Sequence, residues 1–366
     1  MDKPFILYIR IYMITGAKVI DTTLLLLLIG YTASFFMAWN IGANDASNPT
    51  DTAVGSGALT IKQALILFSI FAGVGALFQG WMVMKTFGKG VVSDVDLIGA
   101  LSAVAAAGTW VIIASWKGIP VSTSQSVAGG VLGIGLAYVF LGKIGLNDIH
   151  WSVVYKILLS WVTSPILSIL FAIILFHVLA LMTYNLEKKG FNVRRFLKVL
   201  LIISLIFSAY SFGANDVGNA TGVYYIVTSK YLGLPNTSTR IFLALLGSIG
   251  IALGGFTLGK RVIVTVGYRI TRLDLVAGAA AEYANALTVW LFTTIPYQLF
   301  GYGMPISTTH ASVSAIIGVG IAKNKNLSGI NWKIVLIIFA SWLFTLPITI
   351  SLGFIYYTLI NGFLHI

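Results

Sequence analysis

A chain of 366 residues with 58% hydrophobic and only 9% charged residues, against roughly 25% charged in a soluble domain, is not a water-soluble globular protein. Its 23 Lys and Arg against 11 Asp and Glu give a net charge of +12; without a nucleic-acid-binding motif, the excess reads as cytoplasmic loops and contact with anionic lipid, with no nucleic acid as partner. With no cysteine and 4 histidines, the composition excludes a disulfide framework and a cysteine nucleophile, and argues against a histidine-rich metal site.

The first 21 residues carry Lys3, Arg10 and Lys18 among apolar residues, with no short apolar core followed by a small-residue cleavage site. They read as an interfacial segment, not a removable signal. Apolar runs of spanning length follow near 22–40, 61–83, 97–115, 120–141, 152–183, 198–213, 240–258, 274–296, 305–322 and 332–360, about ten in all. Stretches such as Thr22 to Trp39 are apolar on every face, whereas barrel strands alternate, so the spans are helices of a multi-pass protein of the cytoplasmic membrane.

The chain repeats itself. Ile41-Gly42-Ala43-Asn44-Asp45-Ala46-Ser47-Asn48 returns as Phe212-Gly213-Ala214-Asn215-Asp216-Val217-Gly218-Asn219, and Pro120-Val121-Ser122-Thr123-Ser124-Gln125 as Pro305-Ile306-Ser307-Thr308-Thr309-His310. A third pair sets Ser160-Trp161 and Pro165 against Ser341-Trp342 and Pro347. Three landmarks in one order define two homologous halves, 22–183 and 199–366, joined by a polar cytoplasmic connector at 184–198. Equivalent loops differ in charge: 85–96 balances Lys85 and Lys89 with Asp94 and Asp96, while 260–274 sets Lys260, Arg261, Arg269 and Arg272 against Asp274 alone. That asymmetry predicts halves of opposite orientation, with 260–274 inside; Lys230 and Arg240, in a loop this topology puts outside, argue the other way.

Each Gly-Ala-Asn-Asp motif is read as the end of an apolar helix, with an ionisable group at membrane depth. A lone Asp there serves as often as a helix cap, but recurrence in both halves with Asn on either side marks an ion or substrate pathway. Asp45, Asn48, Asp216 and Asn219 offer the hard oxygens sodium requires. Glu282 and Asn285, three positions apart on one helix face, and Thr109 with its counterpart Thr288 are further cation candidates. The Pro-x-Ser-Thr motifs offer the opposite chemistry. Pro suits a first helical position, and the hydroxyls and unpaired N–H groups behind it form an anion site at the positive end of the helix. His310, where the first half has Gln125, is either an anion donor or proton relay or a satisfied buried histidine. Gly129-Gly130 and Gly254-Gly255 lack the strand–turn–helix setting of a nucleotide loop and read as close helix packing. No Walker motif, nucleophile elbow or His-Glu-x-x-His occurs, so the reading is of neither an enzyme nor an ATP-driven pump.

The doubled Gly-Ala-Asn-Asp-x-x-Asn and Pro-x-Ser-Thr motifs, the latter complete as Pro-x-Ser-Thr-Thr-His only in the second half, resemble the PiT family of inorganic phosphate transporters over nearly the whole chain. The resemblance implies an all-α fold of two inverted-topology repeats with about 10–12 transmembrane helices including re-entrant hairpins. It implies phosphate uptake coupled to sodium or protons, no cofactor and a homodimer. Phosphate-binding candidates carried over are Asn44, Ser122, Thr123, Ser124, Asn215, Ser307, Thr308 and Thr309, and sodium-binding candidates are Asp45, Asn48, Asp216, Asn219 and Glu282; the chain's own pattern adds Gln125 to the first set and Thr109 to the second. Two departures stand out: Asn48-Pro49 replaces Asn-Ala, and Ser124-Gln125 replaces Thr-His. They weaken a proton relay in the first half and favour sodium coupling. Sulfate, neutral metal–phosphate complexes and proton coupling stay open at this stage, as does a phosphate-selective channel.

Overall fold

The structure, a computed structural model, describes residues 22–364 apart from 93, 234 and 235; the expected N-terminal interfacial segment lies outside that range. Thirteen α-helices are described. The first half contains α1 (Thr22–Asp45), α2 (Asp51–Gly55), α3 (Ile61–Gln79), α4 (Trp81–Lys85), α5 (Leu97–Trp116), α6 (Thr123–Phe140) and α7 (Trp151–Lys188). The second contains α8 (Val193–Leu232), α9 (Asn236–Thr257), α10 (Gly259–Arg269), α11 (Leu275–Phe300), α12 (Thr308–Asn324) and α13 (Trp332–Leu364). A π-helical turn, Thr86–Gly90, continues α4. Among the described residues no β-strand forms. Among the described residues nine helices are long and apolar enough to cross a membrane. The tenth apolar run is α12, which at 17 residues lies at the lower limit of a crossing helix. The chain is a polytopic, all-α membrane protein, and large apolar side chains such as Val162, Ile166, Leu170, Leu343 and Leu359 face outward from α7 and α13, as a lipid-facing belt requires.

Polar caps recur at matched places in the two halves. Asp96 accepts from Gly99 N at the start of α5 (2.6 Å) and Asp274 from Ala277 N at the start of α11 (2.9 Å). Ser122 caps α6 through Gln125 N (3.2 Å) and Ser307 caps α12 through His310 N (3.1 Å). Each cap satisfies one of the amides a helix start leaves unpaired.

The halves are interlocked. α1 packs on α9 while its counterpart α8 packs on α3; α6 packs on α13 while α12 packs on α7. Glycines permit the first two crossings. A Cβ on Gly42 would lie 1.9 Å from Ile251 O, and one on Gly254 1.8 Å from Trp39 O; on Gly213 it would meet Ala72 O at 1.9 Å and on Gly75 Tyr210 O at 1.9 Å. Backbones this close exclude any side chain, the small-residue packing seen where helices associate without a hydrophobic drive.

Sequence and structure part at the second Gly-Ala-Asn-Asp motif. The first copy ends its helix at Asp45, but α8 runs unbroken through Gly213–Asn219 for 40 residues and stops only at Gly233, with φ of 62°. The reason is local. Pro49 follows Asn48, has no N–H to donate and disfavours a helical conformation in the residue before it; Ala220 imposes neither restriction.

Candidate functional site

α6 and α12 are the short, buried helices whose capped starts carry the Ser-Thr motifs, and both tips reach the Asp motifs of α1 and α8. Thr123 Oγ1 lies 2.6 Å from Asp45 Oδ2 and 3.3 Å from Asp216 Oδ1, so one hydroxyl bridges carboxylates from the two halves. Thr309 donates to Asp45 Oδ1 (3.0 Å). Asn48 Nδ2 donates to Thr308 Oγ1 (3.1 Å) and Thr309 Oγ1 (3.2 Å), and Asn219 Nδ2 to Asp216 Oδ1 (2.8 Å). Every side chain in this network is buried, and among the described residues no Lys, Arg or His side chain is hydrogen-bonded to it.

Two like charges sharing a hydroxyl in a dry site repel by several kcal/mol, about 4 kcal/mol at 4 Å and an effective dielectric constant near 20. Neutral donors offset part of that. Asp216 Oδ2 and Asn219 Oδ1 accept no hydrogen bond of ordinary length and angle; buried oxygens in that condition suit a hard cation.

The asparagines preceding each Asp do something else. Asn44 Nδ2 donates to Ile119 O and Ser115 Oγ (both 3.0 Å), and its Oδ1 accepts from Val121 N (2.9 Å). Asn215 Nδ2 repeats this on Met304 O (3.0 Å) and Thr293 Oγ1 (2.9 Å). Expected as phosphate ligands, both have their amide donors committed in this structure to the segments leading into α6 and α12. They clamp the helix tips. The third sequence landmark secures the same segments from behind, with Trp161 Nε1 donating to Pro305 O (3.2 Å) and Ser341 Oγ to Pro120 O (3.3 Å).

Ser122 and Ser307 are occupied as helix caps, and Ser124 Oγ lies 3.2 Å from Ser122 Oγ. Gln125 is buried with Oε1 unpaired. Its counterpart His310 lies with its ring 3.9 Å from that of Trp342, Nδ1 near Trp161 O (3.3 Å) and Nε2 without a partner. Thr109 is not brought to the cluster: its hydroxyl donates to Ala105 O (2.8 Å) and meets Tyr356 OH (3.2 Å). Spacing along α5 set it on a face turned toward α13 and away from the Asp motifs. Thr288 likewise bonds within its own helix, to Ala284 O (2.8 Å).

Glu282 belongs to a second cluster that includes a residue sequence reasoning missed. Thr52 donates to a Glu282 carboxylate oxygen; Ser312 donates to Asp51 Oδ2 (2.9 Å), and Asn285 Nδ2 to Asn48 O and Ser208 Oγ (both 3.1 Å). Asp51 Oδ1, Glu282 Oε1 and Asn285 Oδ1 lack donors. The signal for Asp51 was present: an acid two positions after a proline and six after the Asp of the first repeated motif.

The model of the phosphate transporter family matches residues 41–353. The chain belongs to that family. It is 33% identical to a "putative phosphate permease" of Pyrococcus horikoshii, over 90% of this chain and 95% of that one. It is 30% identical to the chloroplastic inorganic phosphate transporter 2-1 of Arabidopsis thaliana, over 88% of this chain and 70% of that one. A solved structure described as the sodium-dependent phosphate transporter superposes with a TM-score of 0.78 at 30% identity, covering 92% of this chain and 99% of that chain. The transporter thus shares fold and family with proteins named for phosphate.

Proposed function

We propose that the transporter is a sodium–phosphate symporter that works by alternating access of one site built from both halves. The observation that carries this reading is the bridge of Thr123 between Asp45 and Asp216 in a buried cluster without a cationic side chain. Phosphate carries between one and two negative charges at neutral pH, and beside two carboxylates in a low-dielectric site it is repelled. Sodium bound first on Asp45, Asn48, Asp216 and Asn219 reverses the local sign. The hydroxyls of Ser122, Thr123, Ser124, Ser307, Thr308 and Thr309, with the first-turn amides of α6 and α12, then supply donors to the anion. Because phosphate binds only after sodium, the two are coupled, which is the requirement for symport.

Asp51, Thr52, Glu282 and Asn285 form a second oxygen cluster for sodium on this reading. The halves are taken as inverted-topology repeats whose rocking exposes the site to each face in turn, and the assembly as a homodimer, which the mass of the detergent-solubilised particle tests. The structural relative's description as sodium-dependent and the excess charge of 260–274 support the coupling ion and the orientation.

Purified protein in liposomes tests the reading. Radiolabelled phosphate should accumulate under an inward sodium gradient, not under a proton gradient alone, and excess sulfate should not compete. Accumulation driven only by protons, or flux that never exceeds equilibrium, overturns it.

A further inference from the structure

Beside the segment leading into each of the helices α6 and α12 lies an open cavity, and the one beside α6 is lined by four cations. One, of about 370 Å³, is lined by Trp116, Lys117 and Gly118 of the segment leading to α6 and by Lys260, Arg261 and Arg269 of α10. The other, of about 420 Å³, is lined by Lys85 and Thr86 on the first-half counterpart of α10 and by Tyr302 of the segment leading to α12. The two occupy matched places in the repeat. In each, the lining segment is the one clamped from its far face by an Asp-motif asparagine: Ile119 O by Asn44, Met304 O by Asn215.

Their cations are held differently. Around the larger cavity Lys85 stands over Trp81 and Tyr297 (5.0 and 5.5 Å), Arg240 over Trp81 (4.2 Å), and Lys156 over Phe300 (4.6 Å). Around the smaller, Lys117, Lys260, Arg261 and Arg269 are all exposed, and Arg261 alone is tethered, through Nη1 to Trp116 O (2.8 Å). The salt bridge found among the described residues joins Lys323 to Asp274, so none of these four cations has an acidic partner. Four like charges around one cavity without a counter-ion from the protein repel each other and attract an anion.

We infer that the cavity of Lys117, Lys260, Arg261 and Arg269 binds a phosphate-bearing anion, either free phosphate waiting outside the α6 tip or the headgroup of an anionic lipid. The inference rests on phosphate being the cargo only for the first source. Arg261 is the fixed donor, and the exposed lysines and Arg269 close on the anion. Such a site concentrates phosphate where the clamped segment must move to admit or release it, without placing a cation in the Asp cluster, where it would displace sodium.

Amine acetylation read by mass spectrometry tests this on the full-length protein in nanodiscs, with inorganic phosphate titrated against chloride at constant ionic strength. In discs of phosphatidylcholine alone, phosphate should slow acetylation of Lys117 and Lys260 but not of the exposed Lys325 and Lys333. Arg269→Gln should raise the half-protecting concentration about fivefold, the effect of one unit charge at close range in a wet site. Protection without added phosphate, and only in discs containing phosphatidylglycerol, assigns the cavity to lipid. Equal acetylation in all conditions overturns the inference. Phosphate uptake by the same purified protein reconstituted in liposomes separates this result from a failure of the transport reading.

Discussion

The two Gly-Ala-Asn-Asp copies are near-identical in sequence and differ in what the backbone does next. The first ends α1, and the broken segment after Pro49 turns Asp51 and Thr52 toward Glu282 and Ser312. The second stays helical for another 16 residues beyond Asp216, to Leu232, and contributes no comparable acid. The duplicated part therefore builds the shared cluster, Asp45 with Asp216, and the divergent part builds the second cluster on one side only. A repeat needs its symmetry where both halves meet the same ligand and is free to lose it elsewhere.

The harshest way to break the comparison is to force the second copy to resemble the first. Ala220→Pro removes a donor in the interior of α8 and clashes with the preceding turn, at a cost of about 3 kcal/mol or more. We expect loss of folded, monodisperse protein by size-exclusion chromatography, whereas Pro49→Ala should leave a folded transporter. Equal tolerance of both changes would show that α8 bends at this point.

Next in size is the shared cluster. Asp45→Asn and Asp216→Asn each remove a buried charge whose partners stay in place, a change that typically costs about 2–5 kcal/mol in binding. Sodium-driven phosphate uptake in proteoliposomes should fall about a hundredfold in both, by the lower part of that range. Either variant retaining wild-type sodium dependence would remove that carboxylate from the coupling site.

A smaller effect sharpens the asymmetry. Asp51→Asn keeps an oxygen for Ser312 to donate to and deletes one charge from the second cluster. The sodium concentration for half-maximal uptake should rise about tenfold with the rate at saturating sodium retained, a loss on the order of 1.4 kcal/mol. An unchanged sodium dependence would mean the second cluster binds no ion during transport.

Much of this was legible in the sequence because duplication converts weak signals into strong ones. A Ser-Thr pair after a proline says little alone; two copies in register with two Asp motifs say where the halves converge. The ten apolar runs each became a helix, and the glycines of the crossing helices packed as expected. What was not legible depends on contacts between distant positions. Thr52 and Glu282 are 230 residues apart, and nothing in the sequence shows that Thr123 reaches both carboxylates or that Thr109 turns toward α13. The basic loop at 260–274 was read as a marker of topology, yet three of its cations line a cavity that only the folded α5–α6 connection completes. Arg240, which argued against the expected orientation, stacks on Trp81 and reaches Tyr225 OH (3.4 Å) beside the larger cavity.

The mildest expected change concerns Gln125 and His310, the one place where the two helix tips differ in a titratable group. His310 is packed on Trp342 with a single backbone partner and no hydrogen bond to either Asp motif. A proton relay needs a chain of donors and acceptors leading to the coupled carboxylates, and the histidine lies on the Trp161 side of α12, turned from them. His310→Gln makes the second tip match the first. Sodium-driven uptake should remain within about threefold of wild type, because the substitution removes a packing contact with the indole and no group that touches the Asp motifs. Its dependence on external pH between 5.5 and 8 should be unchanged, following the titration of phosphate itself. A variant that transports but loses its pH dependence would place the histidine in proton transfer and shift the coupling from sodium toward protons.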